Sequence, residues 1–292
     1  MAADTRLKAK LSDEVRAALD AKLEINTDLA RKILTRFIAE EVTKPGFKRA
    51  VVGLSGGIDS AATAFLAAEA LGPENVLCVR MPYRTSAPDS LADAQRVIDQ
   101  LGVPALTVEI TPMVEPLFAR FPDMDNNRRG NVMARARMIV LYDQSAAFGG
   151  LVIGTGNKTE ILLGYTTLFG DSAAAMLPLG DLYKTQMRQL SRAMGVPAPI
   201  LDKPPSADLW IGQTDEGELG YTYAEVDRLL YLLVDERYNL DEAIERGFAP
   251  AFVHGVWQRV QRNQFKRVPP LVCKISRRTQ GHDFLYLRDW GL

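Results

Sequence analysis

Apolar residues recur at helical spacing across residues 5–42, at Leu11, Val15 and Leu19 and again at Leu29, Ile33, Phe37 and Ile38, with charges between them. That spacing predicts one or two amphipathic helices lying on a core. Lys44-Pro45-Gly46 punctuates the pattern. Residues 50–54 then form a short apolar run of the kind a buried parallel strand needs. Ser55-Gly56-Gly57-Ile58-Asp59-Ser60 follows directly, and an alanine-rich helix continues to about Leu71. Further along, residues 76–81, 105–110 and 151–154 predict strands, while 89–101, 128–148, 158–163 and 184–194 predict helices. Strands alternating with helices imply an α/β fold with a parallel sheet, in which ligands bind at the carboxyl ends of strands. Residues 82–90 follow a strand directly, and residues 202–221 are rich in Pro, Gly and acidic side chains. Both read as mobile loops that could close over such a site.

Composition narrows the class. The chain has 292 residues, 47% hydrophobic and 24% charged, enough for one large core or one core with a small appendage. A net charge of −1 gives no bulk electrostatic claim on nucleic acid or an anionic membrane. No apolar run approaches the ~20 residues that span a bilayer, and the polar start of the chain does not read as a signal peptide. The two cysteines, Cys78 and Cys273, cannot form a disulfide framework, and no Cys/His cluster suggests zinc. Reduced thiols fit a cytoplasmic protein.

The motif at 55–60 carries the first chemistry. Adjacent glycines let backbone amides approach an anion closely, and the next helix presents its positive end to the same place. Ser55 and Ser60 add hydroxyls. Asp59 suits phosphate only through a bridging metal. No Lys-Ser/Thr follows the glycines, so this is not a P-loop. It resembles the SGGxDS signature of N-type ATP-pyrophosphatases, which cleave ATP between the α and β phosphates. The second half of the chain is more specific. Residues 153–160 (Ile-Gly-Thr-Gly-Asn-Lys-Thr-Glu), 164–171 (Gly-Tyr-Thr-Thr-Leu-Phe-Gly-Asp), 178–185, 203–209, Thr214-Asp215-Glu216, Leu219-Gly220 and Tyr223 closely resemble NAD synthetases, over about residues 25–275.

That resemblance implies a Rossmann-like parallel sheet flanked by helices, of the adenine nucleotide alpha hydrolase-like kind. It implies ATP-dependent amidation of deamido-NAD through an acyl-adenylate. By the same carry-over Gly53, Leu54, Ser55, Gly56, Gly57, Ile58, Asp59 and Ser60 cradle ATP, with Arg80, Thr155, Lys184 and Ser206 completing its site. Asp59 and Glu160 hold Mg²⁺, and with Lys184 they are the only residues given a catalytic part. Arg135 and Asp171 meet the dinucleotide, joined by Phe265 and Lys266. Arg135 and Arg137 point roughly 200° apart on a helix, so one can serve the ligand and the other a structural pair.

Two positions depart from the family. Leu168 stands where many bacterial members carry a substrate-contacting lysine, and Phe265 replaces the histidine of a His-Lys pair while Lys266 is kept. Phe265 could stack on a ring or pack in the core. Neither His254 nor His282 sits in a motif. Glutamine-dependent relatives carry a further glutaminase domain, which this chain has no room for, so the resemblance implies free ammonia. A different amidating or thiolating ATP-pyrophosphatase is the nearest rival; a nucleotide sensor that has lost Asp59 or Glu160 is excluded by their presence. Residues 1–292 read as one domain, with N-terminal helices over 1–45, a catalytic core over 46–275 and a tail over 276–292. A homodimer is implied by the family, and no residue stands out as a general base.

Overall fold

The computed structural model describes residues 11–206, 209, 210 and 212–279. Residues 5–10 of the first expected helix, Ala207, Asp208, His282 and most of the 276–292 tail lie outside the described residues.

Two helices open the described chain, α1 (Asp13–Leu23) and α2 (Thr27–Thr43). There are two because Ser12 and Asn26 each cap a start: Val15 N donates to Ser12 Oγ and Leu29 N to Asn26 Oδ1. The alternation follows, β1 (Arg49–Gly53), α3 (Ile58–Leu71), β2 (Val76–Arg80), α4 (Pro88–Leu101), β3 (Ala105–Thr107), α5 (Thr111–Arg120), α6 (Asn126–Phe148) and β4 (Gly150–Ile153). The strands form one all-parallel sheet in the order β3-β2-β1-β4. Ala50 and Val52 of β1 face the cluster built with α2, α3 and α4, while Val51 faces the cluster built with α5 and α6. Both faces are covered, so the strand is apolar throughout rather than alternating.

The chain order reverses between β1 and β4, which leaves a crevice beyond their carboxyl ends. The loop after β1 carries residues 55–60 and the loop after β4 carries residues 154–157, so the topology brings two distant motifs to one place. The third expected strand is shorter than residues 105–110. Val108 N and Ile110 N still bond to Arg80 O and Pro82 O, but the chain turns into α5 at Thr111.

Among the described residues, the α-helices beyond β4 are α7 (Lys158–Leu163), α8 (Lys184–Ala193), α9 (Ala198–Asp202), α10 (Asp215–Leu219), α11 (Tyr223–Leu230), α12 (Leu240–Glu245) and α13 (Pro250–Arg262). A third apolar cluster, with Leu163, Tyr183, Val226, Leu229, Phe248, Phe252 and Val256, joins α1 to these helices. Neither α5 nor the helices beyond residue 197 follow from the sequence pattern. Prolines at 112 and 116 obscure the periodicity of α5, and the later helices apart from α13 are of eight residues or fewer. Part of the expected loop over 202–221 is α10, capped where Thr214 accepts from Gly217 N. Among the described residues no helix is long and apolar enough to cross a membrane.

Candidate active site

A cavity of about 780 Å³ opens at the crevice, lined by every residue from Gly53 to Ser60. The loop over 55–60 is held in shape by its own side chains. Ser60 Oγ donates to Gly57 O at 2.9 Å and accepts from Ser55 N at 3.2 Å, while Gly57 N donates to Ser55 Oγ at 3.2 Å. Gly56 has φ of +84°, and a Cβ there would overlap the backbone carbonyl of Ser90 at the start of α4. Only glycine meets both demands.

Asp59 lies in the first turn of α3 and Glu160 in the first turn of α7. Lys184, the first residue of α8, sits between them, with Nζ 2.6 Å from Asp59 Oδ2 and 2.9 Å from Glu160 Oε1. Asn157 completes the cluster. Its side chain donates to Asp59 Oδ1 at 2.8 Å and accepts from Glu160 N at 3.0 Å in a capping box. Lys184 is only 2% exposed, and a cation at a helix start, against the dipole, is explained by the two carboxylates. Burial raises the Glu160 carboxyl to about 7, with Asp59 adding to the shift and Lys184 opposing it. Burial alone would lower the Lys184 ammonium, but Asp59 and Glu160 hold it above its ordinary value.

A second acidic group stands beside the first. Asp215, 5% exposed, accepts from Tyr165 Oη at 3.2 Å and Tyr223 Oη at 3.1 Å, and burial raises its carboxyl. The Tyr223 ring lies 4.9 Å from Lys184 Nζ. Spacing and motif chemistry assign no role to Asp215, Tyr165 or Tyr223, although all three fall within the family-like stretches.

Of the other expected site residues, Thr155, Ser206, Asp171 and Lys266 also line the cavity. Ser206 Oγ donates to Gln213 O at 2.7 Å. Asp171 caps a turn at the mouth, accepting from Thr166 Oγ1 and Thr167 N at 2.7 Å each. Lys266 Nζ donates to the carbonyls of Gly164 and Thr166, each at 2.7 Å, and so ties the end of α7 to the chain after α13.

Three expected residues lie outside the cavity lining. Arg80 turns to α4, with Nη1 donating to Gln95 Oε1 at 2.5 Å. Arg135 is exposed and donates to Leu168 O at 3.2 Å. Phe265 is 57% exposed, in neither a core cluster nor the cavity. Of the two divergent arginines, Arg137 lines this cavity, its Nε donating to Met81 O at 3.0 Å, and Arg135 does not. His254 is exposed on α13, and Cys78, buried in β2, has its thiol pushed up to about 12 by burial. Neither belongs to the site.

The arrangement can hold a polyphosphate at the 55–60 loop and α3, with a fixed ammonium and two carboxylates behind it. Among the described residues no three His, Cys, Asp or Glu side chains converge as a metal cage. Two hard oxygen donors beside a phosphate cradle suit a small divalent cation that takes its other ligands from phosphate and water.

Comparison with known proteins agrees with this geometry. The NAD synthase family model matches residues 30–270. An NH3-dependent NAD⁺ synthetase of Trichlorobacter lovleyi is 57% identical over 93% of this chain and 99% of that protein. One of Chlorobaculum parvum is 53% identical over 92% of this chain and 97% of that protein. Among solved structures, an NMN synthetase of Francisella tularensis superposes with a TM-score of 0.74 at 34% identity, covering 86% of this chain and all of the other. An NH3-dependent NAD synthetase of Campylobacter jejuni gives 0.73 at 32% identity, again covering 86% of this chain and all of the other.

Proposed function

The chain belongs to the NAD synthase family, and on that premise we propose that Asp59 and Glu160 hold a Mg²⁺ ion against ATP while Lys184 fixes both carboxylates. The reaction is the ATP-dependent amidation of deamido-NAD to NAD by ammonia, with release of AMP and pyrophosphate, and the enzyme is a C–N ligase. One observation carries the assignment of roles: a single buried ammonium joins the carboxylate after the SGGIDS loop to the carboxylate of the 153–160 motif.

The chemistry divides into two transfers. The pyridine carboxylate attacks the α-phosphate of ATP, forming the acyl-adenylate and expelling pyrophosphate. Ammonia then attacks the acyl carbon and AMP leaves. The amides of the 55–60 loop and the start of α3 bind the departing pyrophosphate. Lys184 offsets the two carboxylates and adds positive potential where phosphate charge accumulates. Bound Mg²⁺ would supply charge neutralisation at the pyrophosphate. Met81, Leu141 and Arg137 line the part of the cavity that suits the nucleotide base, and Asp171, Lys266 and Thr166 the mouth where the second nucleotide enters.

Three finer readings accompany this one. Arg135 and the apolar Ile139 and Tyr142 are exposed along α6, and this face suits a second copy of the chain, through which Arg135 would reach the dinucleotide of the partner. The chain reads as one domain, with N-terminal helices up to residue 45 and a catalytic core over 46–275. Two free cysteines suit the cytoplasm.

The test is to incubate the protein with ATP and Mg²⁺, offering deamido-NAD and nicotinic acid mononucleotide separately, each with ammonium or glutamine. Amidation of the dinucleotide with ammonium, and its loss in Glu160→Ala and Asp59→Ala, is the expected result. Full activity in either variant overturns the metal assignment; amidation of the mononucleotide alone transfers the chain to the reaction that names the Francisella protein.

A further inference from the structure

Glu160 and Lys184 stand on separate helices, and something must fix the distance between those helices. The contacts run in three rungs. At the outer rung, Lys158 Nζ and Tyr183 Oη both donate to Asp235, at 2.8 and 2.5 Å. At the inner rung, Lys184 Nζ meets Glu160 directly. Between them lies Asp227 of α11, a carboxylate with no exposed surface. Its Oδ1 accepts from Thr159 Oγ1 at 2.6 Å and its Oδ2 accepts from Thr185 N at 2.8 Å. The circuit closes because Thr159 Oγ1 also accepts from Lys184 N at 2.9 Å.

Thr159 immediately precedes Glu160, and Thr185 immediately follows Lys184. Asp227 thus holds the two residues beside the two functional ones, and it does so at the open amides of the α8 N-terminus, where negative charge is favoured. Its partners are a hydroxyl and an amide rather than a cation. Burying a carboxylate on such terms is costly, and an apolar residue at this fully buried position would avoid that cost. The charge has a use that packing does not explain: a carboxylate accepts from both helices at once, at fixed angles.

We propose that Asp227, acting through Thr159 and Thr185, is a positioning residue that sets Lys184 against Glu160 for adenylate formation, without touching substrate. This rests on the roles proposed above for Glu160 and Lys184. Reacting groups tolerate little displacement: about 1 Å costs roughly a hundredfold in rate.

The experiment compares Asp227→Asn, Thr159→Val and Thr159→Ser in the full chain, with Glu160→Gln alongside, after circular dichroism and ATP binding have shown each to be folded. Asn turns an amide NH₂ toward one of the two donors, and Val deletes the hydroxyl at nearly constant volume. Both are expected to lower kcat roughly 10- to 100-fold, with KM for deamido-NAD changed less than about threefold, since the cavity mouth is untouched. Thr159→Ser recovers most of the loss. The double variant Asp227→Asn/Thr159→Val is expected to be no slower than the worse single one, because both break the same circuit. A kcat within twofold of the parent in Thr159→Val, equal losses in Val and Ser, or multiplying losses in the double variant would overturn the proposal. If Glu160→Gln is inactive while those variants are unimpaired, only this inference fails; if Glu160→Gln is fully active, the reading of the site itself falls. Should Asp227→Asn fail to fold, the Thr159 pair decides alone.

Discussion

The loop after β1 shapes its own anion cradle within six residues, Ser55 and Ser60 bonding to each other and to the backbone between them. The ground behind it is assembled otherwise. Glu160 and Lys184 come from two helices 24 residues apart, and the carboxylate between those helices comes from a third, α11. The first region is a local device: strand, turn and helix suffice. The second depends on tertiary packing, and its polar circuit is buried, where each bond is stronger and each loss more damaging. The shape of the phosphate cradle and the placement of the catalytic pair thus rest on different contacts, joined where Lys184 and Asn157 meet Asp59.

Lys184→Met breaks both regions at once. It leaves Asp59 and Glu160 facing each other at the cavity wall, and we expect a loss of about 2–4 kcal/mol in stability, somewhat below that for a fully buried pair, read by denaturant unfolding, with no detectable NAD formation. Adding Glu160→Gln to that variant returns part of the stability and none of the activity. An undiminished unfolding midpoint in Lys184→Met would show that the carboxylates simply protonate.

Gly56→Ala touches the front region alone. A left-handed backbone position and the overlap with Ser90 O together predict a cost of about 1–3 kcal/mol. ATP affinity by calorimetry should fall, while unfolding followed by far-ultraviolet circular dichroism keeps its cooperativity. Unchanged ATP affinity would mean that the loop does not need the approach to α4.

The smallest effect lies at the back, and its sign follows from burial. Burial raises the Asp227 carboxyl to about 6, Thr159 and Thr185 opposing, whereas in the unfolded chain it titrates near 3.9. The native state therefore binds this proton more tightly, so the contribution of Asp227 to stability is greatest below pH 4 and is lost as pH rises through 6. Between pH 5 and pH 7 the parent should lose about 1 kcal/mol more than Asp227→Asn, measured as the difference between their unfolding free energies at each pH. A parallel pH dependence in the two proteins would place the carboxyl in contact with water.

The same division governs what the chain discloses before folding. The apolar runs of β1, β2 and β4 and the SGGIDS turn are contiguous, so period and local chemistry expose them. Asp59 was legible for that reason, and Glu160 and Lys184 through family-like motifs. Asp227 was not legible. It sits in Tyr223–Leu230, a short helix with charges on both sides, where an aspartate reads as a solvated residue. Only the fold shows it buried. The arginines are half legible for a related reason: spacing states that Arg135 and Arg137 diverge, but which one faces the crevice depends on how α6 lies against β1 and β4, a tertiary fact. Most helices past residue 197 are short pieces whose apolar faces make sense only when packed together, α13 being the long exception.

Synthesis order gives the sheet a further property. The central strand β1 pairs with β4 in the register Arg49↔Gly150, so one side of the innermost strand waits for a partner about a hundred residues downstream. During translation at roughly 5–20 residues per second, that apolar edge stays unpaired for about 5–20 seconds. Such non-local parallel pairing folds slowly and exposes the chain to aggregation. The crevice that joins two distant motifs is therefore also the last seam of the sheet to close, and a nascent chain stopped before residue 153 has half a phosphate site and an open edge beside it.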